Sequence, residues 1–112
     1  MILAFPGSTA SNSIDGDVWV NIALPDNAPT FEEVGPRILL HEIGHALGLS
    51  HPGNYNGGSP TYAADALYWQ DSNMFTVMSY FGSAEAGANR SVFATGPQLH
   101  DIAAAQLLYG VN

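Results

Sequence analysis

The 112 residues contain no cysteine and only two basic side chains, and no apolar run approaches the roughly 20 residues of a membrane helix. The first absence excludes disulfides and thiolate metal sites, so any metal here must be held by histidine and carboxylate. The second, set against ten acidic residues, gives a formal charge of −8 and argues against nucleic acid or an anionic membrane as partner. The third excludes a bilayer span. The opening Met1–Pro6 has no basic flank and too short an apolar stretch for a signal peptide. Missing cysteine leaves the compartment open. With 46% hydrophobic and 11% charged residues, the chain is too apolar for disorder and too short for two ordinary domains. It reads as one small soluble domain, residues 1–112, or a piece of one.

The first thirty residues have strand chemistry. Ile2–Phe5 is a short apolar run closed by Pro6-Gly7, and Val18–Ala23 is aromatic and β-branched, ended by Pro25-Asp26-Asn27. A hairpin-like pair is expected. Thr30-Phe31-Glu32-Glu33 matches a capping box, predicting a helix with acidic residues in its first turn and Pro36 tolerated there. From Ile38 to Leu47 nearly every position is apolar, the pattern of a helix buried all round, and Gly48 is a left-handed terminator. Residues 52–76 form a long loop, with Tyr55, Tyr62, Tyr68 and Trp69 favouring order. A last helix is expected from about Pro97 to Tyr109, with Ile102, Ala105, Leu108 and Tyr109 on its apolar side and Gly110 as its stop.

Inside the apolar helix stand three polar side chains: His41, Glu42 and His45. Such groups are expensive there unless something satisfies them. His41 and His45, four apart, share one helical face about 5–6 Å from each other, a separation that lets two imidazoles grip one cation. Glu42 lies about a third of a turn round, out of position as a third ligand but able to reach a water on the same metal. This is the H-E-x-x-H arrangement of two zinc ligands and a general base. The pentapeptide alone is a weak signal. Gly48, however, stops the helix three residues after His45, and the reversed chain returns His51 as a third ligand, completing His41-Glu42-x-x-His45-x-x-Gly48-x-x-His51.

The stretch from His41 to Gly53, followed by Tyr55-Asn56, resembles the metzincin zinc endopeptidases, and within them the serralysin group of peptidase M10 type. Asp71-Ser72 and Phe75-Thr76-Val77-Met78-Ser79-Tyr80-Phe81 are similar to the serralysin Met-turn. Asp101-Ile102-Ala103-Ala104, Gln106, Leu108-Tyr109-Gly110 and Asn112 are similar to the closing helix of that catalytic domain. The resemblance covers roughly residues 31–112. It implies an α+β metzincin-like fold: an edge strand and its partner, a zinc-binding helix, a Met-turn and a C-terminal helix. It also implies Met78 as a floor beneath Zn²⁺, and Tyr80 as a ligand of resting zinc that swings away to stabilise the transition state. Ile2–Phe5 corresponds to the strand along which an extended polypeptide substrate lies, and an extracellular setting follows from the family.

Other residues read as ordinary. His100 is expected to be solvated or to cap the last helix, Asn89-Arg90-Ser91 is a meaningless sequon, and Arg37 and Arg90 are too few for a patch. Asp65 and Asp71 are expected to serve structural hydrogen bonds, since their spacing matches no calcium loop. Met74 departs from the glutamine that serralysins usually carry four residues before the Met-turn methionine. The further strands that a serralysin catalytic domain carries before its edge strand, and its calcium-binding glycine-aspartate repeats, are not among these 112 residues, so the expectation is the C-terminal part of a catalytic domain or an unusually small relative. Exposed strand edges would then invite strand exchange or a homodimer. Two functions fit: a zinc-dependent endopeptidase with Glu42 as base, or a zinc-binding fragment without turnover.

Overall fold

The computed structural model describes residues 2–4, 16–20, 35–89 and 94–111. Two short strands, β1 (Ile2–Ala4) and β2 (Val18–Val20), pair antiparallel with Ile2 opposite Val20, Leu3 opposite Trp19 and Ala4 opposite Val18. The expected pairing is therefore present, while Phe5 and residues 21–23 lie outside the described residues. Helix α1 (Gly35–Ala46) packs against both strands, β1 more extensively. Its bounds put Pro36 in the first turn, where a missing N–H costs nothing. That turn contains no acidic residue, because Glu32 and Glu33 precede it, and the expected capping box lies outside the described residues.

The end of α1 decides where the rest of the chain goes. Gly48 has φ +94°, a conformation that L side chains rarely adopt. Around it the N–H of Gly48 donates to the His45 carbonyl at 2.9 Å and that of Leu49 to the Gly44 carbonyl at 2.9 Å. These are the two bonds of a Schellman motif. The helix stops there, and the chain folds back along its own last turn.

The long loop is held by its aromatics, whose rings contact Phe75, Phe81 and His100, and by polar contacts. It contains a short helix, α2 (Tyr62–Asp65), whose Asp65 carboxylate accepts from the Thr61 N–H at 2.7 Å. Tyr55 is buried, but Tyr68 and Trp69 are largely exposed. The buried centre lies further on, in residues 71–83, where Val77, Met78 and Phe81 sit beside Asp71, Ser72, Asn73, Thr76, Ser79 and Ser83. A 3-10 turn (Ser83–Ala86) follows.

Helix α3 (Leu99–Tyr109) starts two residues later than expected and stops at Gly110, φ +87°. Asp101 accepts from the Gln98 N–H at 2.7 Å, satisfying one of the donors left over at a helix start. The same carboxylate accepts from Thr76 Oγ1 at 2.5 Å and Val77 N at 2.9 Å, tying α3 to the 75–78 turn. At the far end Tyr109 donates its hydroxyl to the Leu47 carbonyl at 2.7 Å.

Two burial expectations need correction. Helix α1 is not buried all round: Ile43 is 39% and Leu47 44% exposed. Nor is the apolar side of α3 covered, since Ile102, Leu108 and Tyr109 are each about half exposed or more. The cause is common to both. The two helices border an open apolar cleft of about 390 Å³, with Leu40, Ile43 and Leu47 on one wall and Ile102, Ala105 and Tyr109 on the other.

Elsewhere α1 is in tight contact. A methyl group at buried Gly44 would overlap the Met78 sulfur, and Met78, 2% exposed, has little room to yield. Gly44→Ala is expected to cost about 1–3 kcal/mol and lower the thermal midpoint by roughly 5–15 °C. Calorimetry checks this; an unchanged midpoint would mean that the helix is not seated on Met78.

Candidate active site

His41 and His45 project from one face of α1, one turn apart, and the chain reversed at Gly48 brings His51 to them. The three Nε2 atoms lie 3.1, 3.1 and 3.0 Å from one another. Their other nitrogens explain how they are held. His41 Nδ1 is 2.8 Å from the Val77 carbonyl, and His45 Nδ1 is 2.8 Å from the Leu49 carbonyl. His51 is hydrogen-bonded to the backbone of Tyr55. A carbonyl oxygen only accepts, so Nδ1 carries the proton in His41 and His45, and their Nε2 atoms present lone pairs. Lone pairs converging at 3 Å repel unless a cation or proton lies among them. Among the described residues these three histidines form the group of side chains able to share one ion.

Electrostatics favour the neutral rings. Burial pushes the His41 pKa down from 6.5 to about 4, helped by neighbouring His45, His51 and Arg37, although the Val77 bond opposes it. Burial also lowers that of His51, with His45 adding to the effect. A neutral imidazole is what a metal needs, so protons compete poorly for His41 and His51 near neutral pH.

Glu42, on the adjacent strip of α1, lines a cleft of about 420 Å³ together with Arg37, His41, Pro60, Ser79 and Tyr80. Partial burial raises its pKa above the ordinary 4.5, while His45 pulls the other way. Tyr80 closes the opposite side. Its ring stands 4.6 Å from that of His51 and 5.7 Å from that of His41, and its hydroxyl accepts from the Gly57 N–H at 3.1 Å. Met78 lies buried beneath Gly44, within the turn of α1 that carries His41 and His45.

A family model described as metallo-peptidase family M12B, reprolysin-like, matches residues 4–102. The chain belongs to the reprolysin-like metallopeptidases. By sequence similarity it is of the serralysin type. It is 44% identical over 106 residues to Serralysin C of Dickeya chrysanthemi, covering 91% of this chain and 22% of that protein. It is 43% identical to Metallopeptidase AprA of Pseudomonas marginalis over 117 aligned positions, 96% of this chain and 24% of that protein. Serralysin of Photorhabdus luminescens is 45% identical over 82 residues, 70% of this chain and 17% of that protein. The chain thus spans between 17% and 24% of the length of these relatives.

Outside the histidine cluster, His100 departs from expectation. Its ring stacks on Phe75 at 5.5 Å and its backbone N–H donates to the Phe75 carbonyl, while Asp101 does the capping. An imidazole has a flat apolar face, and a neighbouring aromatic ring outcompetes water for it. Asp65 and Asp71 make structural hydrogen bonds, as expected. Asn89 is described but Arg90 and Ser91 are not. Sequence reasoning missed the carbonyls of Val77 and Leu49 that orient His41 and His45. Backbone acceptors have no residue signature, so nothing in the pattern could have shown them.

Proposed function

We propose that this chain is the catalytic part of a zinc-dependent endopeptidase that cuts extended polypeptides, with His41, His45 and His51 holding the metal. The observation that carries the reading is the convergence of three imidazole Nε2 atoms beside a glutamate in an open cleft. Separations of 3.0–3.1 Å are slightly tighter than the ~3.3 Å between ligands of a tetrahedral ion at 2.0–2.1 Å, so the donor set fits zinc with small ring movements. A three-histidine set keeps the full charge of the ion and leaves a position open. Zn²⁺ bound there supplies a Lewis acid that acidifies a water and polarises a peptide carbonyl.

The chain's own groups supply the rest. Glu42 takes the proton from the attacking water and passes it to the leaving amine, a role suited to a carboxylate made more basic by burial. Tyr80 lines the cleft from the opposite wall; with zinc bound, its hydroxyl would be a further ligand of the ion and would donate to the developing oxyanion. Tyr80 must exchange its bond with the Gly57 N–H to do so. Residues 75–78 act as the Met-turn, with Met78 as an apolar floor, and the arrangement as a whole is metzincin-like. An extended substrate aligns along β1 by strand addition. The serralysin likeness supports an extracellular setting, and among the described residues no helix is long and apolar enough to cross a membrane.

Metal analysis and hydrolysis of casein on one sample test this. One zinc per chain is expected, with cleavage abolished by a chelator and restored by zinc. Zinc uptake without cleavage would favour the alternative, a metal-binding fragment without turnover. No zinc uptake would end both readings.

A further inference from the structure

Asp71 stands outside the proposed catalytic group, yet it is completely buried, and a buried carboxylate is costly unless hydrogen-bonded. One of its oxygens, Oδ1, accepts from two elements at once: the Tyr55 hydroxyl at 2.7 Å and Ser79 Oγ at 2.6 Å. Each partner adjoins a group of the site. Tyr55 is hydrogen-bonded to His51 through its backbone, and its ring stacks on the His51 ring at 5.4 Å and 27°. Ser79 precedes Tyr80. Its hydroxyl also accepts from the Phe81 N–H at 3.0 Å, and its carbonyl accepts from Asn73 Nδ2 at 2.6 Å. The rings of Tyr55 and Tyr80 are 4.8 Å apart, so His51, Tyr55 and Tyr80 form one mutually packed trio behind which Asp71 sits.

We infer that Asp71 is a positioning residue of the metal centre: through the hydroxyls of Tyr55 and Ser79 it sets where His51 and Tyr80 stand. His41 and His45 need no such device, because α1 spaces them and the Val77 and Leu49 carbonyls aim them. His51 lies beyond the end of the helix, and its direction depends on how the loop is held. A single carboxylate oxygen shared by the loop of the third ligand and the turn of the tyrosine links the two.

This rests on the zinc reading above, and the test separates the two. Zinc dissociation constants by competition with a chromophoric chelator, and visible spectra of the cobalt-substituted chain, are measured for wild type, Tyr55→Phe, Asp71→Ala and Asp71→Asn. Tyr55→Phe keeps the ring and removes one hydrogen bond; it is expected to weaken zinc binding about 10–100-fold and alter the cobalt bands. Asp71→Ala is expected to do at least as much. Asp71→Asn retains the Oδ1 acceptor and is expected to bind zinc within about threefold of wild type even if its thermal midpoint falls. If Asp71→Ala does not fold, Tyr55→Phe carries the test. Unchanged zinc affinity and superimposable cobalt spectra in Tyr55→Phe would overturn the inference, leaving Asp71 a role in stability only. A wild-type chain that binds no zinc would overturn the proposed function, and this inference with it.

Discussion

Glu42→Gln is expected to lower kcat by about 10²–10⁴-fold while zinc content and fold are retained. Glutamine keeps the size of the side chain and its place on the cleft wall, but cannot accept a proton from water. It is not among the three residues whose nitrogens converge, so the metal has no reason to leave. The pH profile carries a second signature. Burial raises the Glu42 pKa above its ordinary 4.5, and the base acts only when deprotonated. Activity is therefore fully present above that raised value and lost as pH falls through it. Wild-type kcat/KM is measured against pH with zinc content followed in parallel. A Glu42→Gln variant with wild-type turnover would sink the assignment of Glu42.

Asp101→Ala is expected to remove about 3–4 kcal/mol of stability, a large fraction of the 5–15 kcal/mol typical of a small domain. The carboxylate is nearly fully buried and serves three donors on two elements: Thr76 Oγ1, Val77 N and Gln98 N. Removing it leaves those donors without their acceptor and takes away the tie between the start of α3 and the 75–78 turn. Thr76→Val loses one of the three bonds and also the acceptor of the buried Met78 N–H, and is expected to cost about 1–3 kcal/mol. Chemical denaturation curves compare the two. A loss under about 1 kcal/mol in Asp101→Ala would mean that water replaces the carboxylate, and that the turn stands without α3. The Val77 carbonyl accepts from His41, so the Asp101 tie also reaches the three-histidine cluster.

The zinc-site reading came from linear spacing because each of its steps is local. Four residues of helix place His41 and His45 on one face, and a glycine that alone tolerates φ +94° turns the chain back to His51. Helix ends were legible to within two residues where proline or glycine marked them. What was misjudged depends on neighbours distant in the chain. The apolar stretch Ile38–Leu47 predicts complete burial, but burial is decided by what packs on each face, and α1 and α3 leave an apolar cleft open. The charge and position of His100 predict a solvated or capping role, yet the ring of Phe75, 25 residues earlier, occupies its face.

Linear spacing is enough to bring out the three-histidine cluster, the glutamate beside it, the end of α1, the span of α3 and the strand pair. Those follow from backbone periodicity and from residues with a single strong conformational preference. Which atoms orient the three histidines depends on contacts between distant segments. The carbonyls of Val77, Leu49 and Tyr55 and the carboxylates of Asp71 and Asp101 act across loops, and hydrogen bonds between distant segments leave no period in the chain that makes them.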